Sequence, residues 1–451
     1  MLFLTAVLTL TACGRSGSAQ TTYETGQSAE ESGGQEIEPS NQEQGGQEPG
    51  QSDQETGGQE PEQSDGKAKA HSGGKIAEES EESDGQGGAL SAKEAAAGEH
   101  AKESLRWDEL SCDGSMELSY ATEFSVDAYG DYRLITIDQK DRFLLIPKGA
   151  EIPSGLPDGV VAVQSPPEHI YLVSSSVMDF FRSLDALANV RMSGTKESDW
   201  HLEEARAAME QGTMLYAGKY SAPDYELILG QGCDLAIENT MIYHNPEVKE
   251  QLEKLGIPVI VEHSSYESHP LGRLEWIKLY GTLLGKEREA EEIYENWLAA
   301  LSPVLTRENT GRTVAFFYIT KNGAVSVRKS GDYIAKMIEL AGGNYIFSHL
   351  DAEEENALST MNIQMEEFYA VAKDADYLIY NSTIDEELHS MKDLLGKSSL
   401  LGDFKAVREG HVYCTGKNFF QETTGMGQFI QELHGILSEE QTQTQFLWQL
   451  R

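Results

Sequence analysis

The sequence predicts an α/β protein, with two lobes built on parallel sheets, one long rigid helix joining them, and a small β-element in front. Three observations carry this. From about residue 166 short apolar strands alternate with amphipathic helices, the pattern of a parallel sheet. That rhythm breaks once, at 271–301, where apolar residues keep helical spacing for about thirty residues. The stretch before it, 103–165, alternates with a period of two instead.

Composition bounds the rest. The chain has 451 residues and a formal net charge of −40. That length allows two or three domains. Residues 1–100 hold 19 acidic and 5 basic side chains and, beyond the first dozen, almost no aromatic or β-branched ones. Such a stretch cannot bury enough apolar area to offset chain entropy. The remainder is ordinary globular material. So acidic a chain excludes nucleic acid as a main partner, because phosphate binding needs clustered Lys and Arg. No apolar run reaches the roughly 18 residues of a membrane-crossing helix. Four cysteines do not make a disulfide scaffold.

Taken in order, residues 1–13 read as an export signal. The apolar run ends in Leu10-Thr11-Ala12-Cys13-Gly14, which resembles a bacterial lipobox and makes Cys13 the lipidated residue. Two acyl chains, at about 0.8 kcal/mol per buried CH₂, hold a protein firmly on a membrane. No Lys or Arg precedes the run, which leaves a start upstream of Met1 open. Residues 14–102, rich in Gly, Ser, Gln and Glu, read as a disordered, self-repelling tether. Residues 103–165 form the β-element: runs 124–129 and 132–137 flank Gly130-Asp131, a hairpin signal, and Pro147 stops a third strand.

The N-lobe is expected over 166–268. Residues 170–173 are a strand, and Ser174-Ser175-Ser176 caps a helix to about Leu187. A short helix at 225–229, a strand at 235–237, a helix opened by Asn245-Pro246 and a strand at 257–261 follow. The linker helix is expected over 269–303, its roughly thirty periodic residues at 271–301 spanning about 45 Å if continuous, with Pro303 closing it. The C-lobe, 304–440, carries strands at 314–319, 377–380 and 411–413 and helices at 333–340 and 425–437.

This layout behind a lipobox resembles the substrate-binding lipoproteins of iron-siderophore, haem and cobalamin importers of the ATP-binding-cassette type, with two Rossmann-like lobes on a helical backbone. The specific stretches are Tyr216-Ala217-Gly218-Lys219-Tyr220-Ser221-Ala222-Pro223-Asp224-Tyr225-Glu226 and His269-Pro270-Leu271-Gly272-Arg273-Leu274-Glu275-Trp276, with Leu255-Gly256-Ile257-Pro258-Val259 and Ala341-Gly342-Gly343 in support. The resemblance implies a monomeric, non-enzymatic receptor on the outer face of the cell membrane, of the Gram-positive kind. It implies no resident cofactor, a siderophore, haem or cobalamin as ligand, and a permease with its ATPase as partners. It also implies that one glutamate per lobe docks the permease. Glu226, eight residues before Asp234, matches the N-lobe position; Glu366 or Glu367, before Asp376, matches the other.

Ligands of open α/β sheets sit at the carboxyl ends of strands. There the sequence offers Ser174, Ser175, Ser176, Trp200, Lys219, Tyr220, Glu238, Met241, Ser264 and Tyr266 from the N-lobe. The C-lobe offers Tyr318, Lys321, Arg328, Asn381, Ser382, Thr383, Lys417, Phe419 and Phe420. Aromatic rings stack on a macrocycle or catechol, and the cations attract an anionic ferric chelate. The histidines form no tight ligand motif, so zinc or manganese bound directly is the alternative and not the first reading. An exported hydrolase lacks any Gly-x-Ser-x-Gly, His-Glu-x-x-His or phosphate loop to rest on. A sensor that signals without a transporter stays open.

Overall fold

A computed structural model describes residues 105–350, 360–440 and 443–451; the export signal, Cys13 and the tether lie outside them. The β-element is a five-stranded sheet of β1 (Gly114–Ser115), β2 (Phe124–Tyr129), β3 (Tyr132–Ile137), β4 (Asp141–Pro147) and β5 (Val160–Ser165). They lie in chain order, antiparallel except for the parallel pair β4–β5. Gly130, at φ +59, opens the two-residue turn that pairs Tyr129 with Tyr132, as the Gly-Asp signal predicts. Phe124, Val126, Ile135 and Ile137 point inward and join the main core.

Two buried carboxylates bolt this sheet to the rest. Glu275 accepts the amides of Ser119, Tyr120 and Ala121 at 2.8–3.0 Å. Glu267 accepts those of Thr122 and Glu123 at 3.0–3.1 Å, together with the indole N–H of Trp276 at 2.9 Å. Five consecutive backbone donors are thus satisfied by charge-assisted bonds.

The N-lobe sheet takes β6 (Ile170–Leu172), β7 (Val190–Ser193) and β8 (Leu215–Tyr216). After a hairpin of β9 (Gly218–Lys219) and β10 (Ala222–Pro223) it takes β11 (Leu235–Glu238) and β12 (Val259–Val261). The order is β12-β11-β6-β7-β8, all parallel. Helices α1 (Met178–Ser183), α2 (Glu203–Glu210), α3 (Tyr225–Gly230) and α4 (Pro246–Lys254) fill the connections. α1 differs from expectation. A 3₁₀ turn, Ser175–Val177, precedes it, no serine of the run caps it, and it ends at Ser183. The Ser174 hydroxyl is engaged elsewhere, with Ser176 at 3.2 Å and Glu262 at 3.4 Å.

The single long helix is corrected. Residues 270–305 form α5 (Pro270–Glu275), α6 (Ile277–Leu284) and α7 (Glu287–Leu305). Gly285, left-handed at φ +67, ends α6. Gly281 lets α7 approach α6: a Cβ there would stand 2.4 Å from the Cβ of Ala290. Apolar spacing is helical on both sides of Gly285, so the periodicity reads straight through the turn. Pro303 does not close the segment, because α7 contains it and runs to Leu305. The 19 residues of α7 span about 28 Å. Every residue of α5 and α6 is buried.

The C-lobe carries β13 (Thr313–Ile319), β14 (Val325–Arg328), β15 (Asn344–Tyr345), β16 (Thr360–Ile363), β17 (Tyr377–Tyr380), β18 (Val412–Thr415) and β19 (Leu447–Gln449). Its order is β16-β14-β13-β17-β18-β19, with β15 also on β13. Only part of it is parallel as expected: β13, β17 and β18 run together, and β14, β16 and β19 pair antiparallel. The turn at 320–324 is too short for a crossover, so β14 must return beside β13. Helices α8 (Tyr333–Leu340), α9 (Met365–Ala372), α10 (Met391–Lys397), α11 (Lys405–Glu409) and α12 (Met426–Leu437) complete the lobe.

Candidate functional site

Three adjacent parallel strands of the N-lobe end at one place. β6 delivers Ser174, β11 delivers Glu238 and β12 delivers Glu262, each 0–1% exposed. Glu262 accepts the Ser264 amide at 2.7 Å. Burial pushes the Glu262 carboxyl up, and Arg273 pulls it back only in part. Burial alone pushes Glu238 well up, and neither of its oxygens has a hydrogen-bond partner among the described residues.

The C-lobe answers with cations on rings. Arg328, at the end of β14, pairs with Asp332 at 3.2 Å and lies over the Phe420 ring at 5.5 Å. Its backbone is held from both sides by the Tyr345 hydroxyl, at 2.9 and 2.7 Å. Arg273, from α5, lies over the Tyr333 ring at 4.6 Å. It is 5% exposed, and its Nε finds no partner among the described residues. Arg273, Tyr333, Phe419, Phe420, Thr423 and Met426 line a small pocket with room for about one water.

The lobes are closed over this pocket by one C-lobe loop. Gln421 accepts the His201 amide at 2.7 Å and donates to the Asp199 carbonyl at 2.8 Å. Thr423 donates to the Ser176 carbonyl at 2.8 Å. Thr424 donates to Asp179 through its amide at 2.7 Å and its hydroxyl at 2.6 Å.

Of the residues expected to bind ligand, Arg328, Phe419 and Phe420 are brought together here. Ser175 is half-buried beside the lobe contact made by Ser176. Trp200 lies next to His201 at the same contact but is 2% exposed, so its ring is core. The others have separate surroundings. Lys219 is exposed on the β9–β10 hairpin, and Tyr220 packs on the smaller N-lobe core. Met241 is half-buried in a 3₁₀ turn, and Tyr266 stacks on His263 at 5.0 Å. Tyr318 packs against the core from β13, and Lys321 is exposed in the turn after it. Ser382 is fully buried and bonds Thr415 through its amide at 3.1 Å. The Lys417 ammonium donates to the Asp385 carbonyl.

Arg273 is the residue sequence reasoning missed as a cleft group. The sequence offered only a faint signal, a cation set among the apolar and small residues of Pro270-Leu271-Gly272-Arg273-Leu274. The docking candidates are all exposed: Glu226 in the first turn of α3, Glu366 and Glu367 in the first turn of α9. Burial pushes the Cys233 thiol up to about 11 and the Cys414 thiol up as well, the reverse of what a nucleophile needs. No helix among the described residues is long and apolar enough to cross a membrane.

The model of the periplasmic binding protein family matches residues 173–419, more than half of the chain. The chain belongs to the periplasmic binding protein family. Members are substrate-binding, non-enzymatic transport proteins, and the family match supports a substrate-binding role in import. An uncharacterized lipoprotein of Methanocaldococcus jannaschii is 25% identical over 309 residues, covering 64% of this chain and 70% of its own. Among solved structures, a periplasmic haem-binding protein of Pseudomonas aeruginosa superposes with a TM-score of 0.50 at 17% identity, over 63% of this chain and 98% of that one. A petrobactin-binding protein of Bacillus subtilis gives 0.49 at 14% identity, over 62% and 94%. The Pseudomonas likeness is one of fold.

Proposed function

We infer that this family member is the extracytoplasmic receptor of an importer, tethered through Cys13, that holds an anionic ferric chelate or tetrapyrrole between its lobes and passes it to a permease. The observation that carries the reading is the pair Arg273 and Arg328, each laid on an aromatic ring where the lobes meet, with the Arg273 Nε unpartnered among the described residues. Two guanidinium groups attract carboxylates or a negative chelate, and the rings accept a flat ligand. The haem-binding Pseudomonas aeruginosa neighbour brings the tetrapyrrole class into this reading. Exposed Glu226 on one lobe, with Glu366 or Glu367 on the other, would orient the receptor on basic pockets of the permease.

The test is tryptophan quenching of the full chain by ferric siderophores, haemin, cobalamin and free divalent ions. Saturable quenching by one ferric chelate or haemin is expected, with a Kd in the micromolar to nanomolar range, roughly −8 to −12 kcal/mol. Arg273→Gln weakens it about tenfold or more, as loss of a buried charged hydrogen bond implies. Glu226→Arg leaves the binding curve unchanged and stops uptake in cells. A response to bare divalent ions alone would overturn the reading.

A further inference from the structure

The β-element meets the N-lobe at a second polar cluster, separate from the arginine pocket. Glu123 precedes β2, Asp138 sits in the turn between β3 and β4, and His263 follows β12. One donor atom from each lies within 4.8 Å of the other two. All three are placed by their own supports. The Glu123 amide is held by Glu267 at 3.1 Å, and the Asp138 amide donates to the Glu123 carbonyl at 2.9 Å. The His263 ring stacks on Tyr266 at 5.0 Å, and its Nε2 shares a 2.8 Å hydrogen bond with the Tyr243 hydroxyl.

A second observation points to a guest. His263 is 4% exposed, and its Nδ1 finds no hydrogen-bond partner among the described residues. Buried polar atoms are normally paired, so an orphan nitrogen on a ring that faces two carboxylates is unusual. The carboxylates have their own conflict. Glu123 and Asp138 bring two acids to one histidine ring, and Glu267, which holds the Glu123 amide, adds a third nearby. Lys140 pairs with Asp138, but its side chain is 66% exposed, so it is a counter-charge free to swing away. A cation resolves both defects, accepting a ring lone pair and neutralising two acids.

We propose that Glu123, Asp138 and His263 form a site for a divalent first-row transition ion, zinc or manganese, that pins the β-element to the N-lobe. One imidazole with two carboxylates suits these ions, whereas calcium and magnesium take oxygen donors. In this site Nδ1 is assigned as the ligand atom because it is unpartnered among the described residues, while the Tyr243 hydroxyl engages Nε2 and so fixes the ring. Ligand atoms around a tetrahedral ion stand about 3.4 Å apart, from bonds of about 2.1 Å. From separations of up to 4.8 Å, the three donor atoms need to close by at most about 1.4 Å to reach that. Water fills the remaining positions from the side where Asp138 is 35% exposed. Glu262 and Ser264, which flank His263 in sequence, stand at the cleft end of the sheet, so the ion would stiffen that wall without being the transported ligand. This site stands whether or not the ferric-chelate reading holds.

The test is calorimetric titration of the chelator-stripped full chain with Zn²⁺ and with Mn²⁺, alongside thermal melts. One tight site and a raised Tm are expected. The acidic first hundred residues bind cations weakly too, so the deciding readout is the variants. Asp138→Asn and Glu123→Gln should each weaken the tight site at least about tenfold, since even outer-shell losses cost that much. Asn tolerates the φ of +50 that Asp138 holds, so this variant keeps its turn. A tight site unchanged in both variants, or no tight site at all, overturns the proposal.

Discussion

Glu238 shows what a single residue contributes. It is fully buried at the end of β11, and neither carboxylate oxygen has a partner among the described residues. Burial raises its folded-state pKa, so the folded protein keeps a proton that the unfolded chain releases above the ordinary glutamate range. A raised folded pKa means stability is fully present at low pH and declines as pH rises from the unfolded value toward the folded one. Glu238→Gln removes the titration. The variant should therefore show a flatter Tm-against-pH curve than the parent from pH 5 to 8, and a higher Tm at pH 8. An unmet buried group costs about 1–3 kcal/mol, which bounds the gain. Parallel slopes in the two proteins would mean that Glu238 finds a partner in solution. At this scale the sequence was partly legible. Strand ends identify Ser174, Glu238 and Ser264 because the rule is geometric. Trp200 reads as a cleft aromatic yet lies in the core, where its large apolar area is best buried. Arg273 stays hidden because a charged residue at helical spacing looks solvated.

Among elements, the β-sheet of 114–165 and the linker helices act as one piece. Glu275 is fully buried, accepts three consecutive amides and faces Lys278 at 3.2 Å. Truncating one partner of such a group leaves donors and a charge unpaired, a loss of about 3–5 kcal/mol. Glu275→Ala should lower Tm clearly. More tellingly, hydrogen exchange at the amides of 119–121 should rise by at least about tenfold, from loss of charged bonds worth about 1.5–3 kcal/mol each. Exchange in the distant strands β17 and β18 should not change. Uniform acceleration everywhere would assign Glu275 a global role in place of a local clamp. The carboxylate clamp was not legible in sequence, because it joins positions about 150 apart that no periodicity links. The hairpin was legible because Gly130-Asp131 is local chemistry. The long helix misled for a related reason: periodicity reports which face is apolar, and Gly285 changes direction without changing the face. β14 and β19 are four and three residues long, too short to register as patterns.

The whole molecule is the level at which sequence order was most informative, since strand–helix alternation on both sides of one helical stretch gives two lobes and a linker. Their stiffness rests on packing more than on helix length. α5 touches the turn at 264–266 in the N-lobe and α8 in the C-lobe, while α7 packs on α12. Phe180 and Phe181 of α1 meet Tyr280 of α6 at 5.5 and 5.7 Å. Trp276 and Tyr280 are fully buried between these elements. A wide opening would have to uncover several such side chains, each worth about 1.5–3 kcal/mol. The polar loop contacts at 421–424 are cheaper to lose, at about 0.5–1.5 kcal/mol per neutral hydrogen bond and more at Asp179. The pocket holds about one water, so a chelate must take the space that the 421–424 loop and the neighbouring Phe419 and Phe420 vacate, and the lobes themselves should part by little. Spin labels at exposed Glu250 and Glu409, with Cys112 and Cys233 changed to Ser, read the separation across the molecule. On adding the chelate that quenches the tryptophans, the mean distance should move by less than about 2 Å, the range of pre-organised binding partners. A larger shift would show that the buried linker hinges, and that Gly285, where the chain already turns, is the joint.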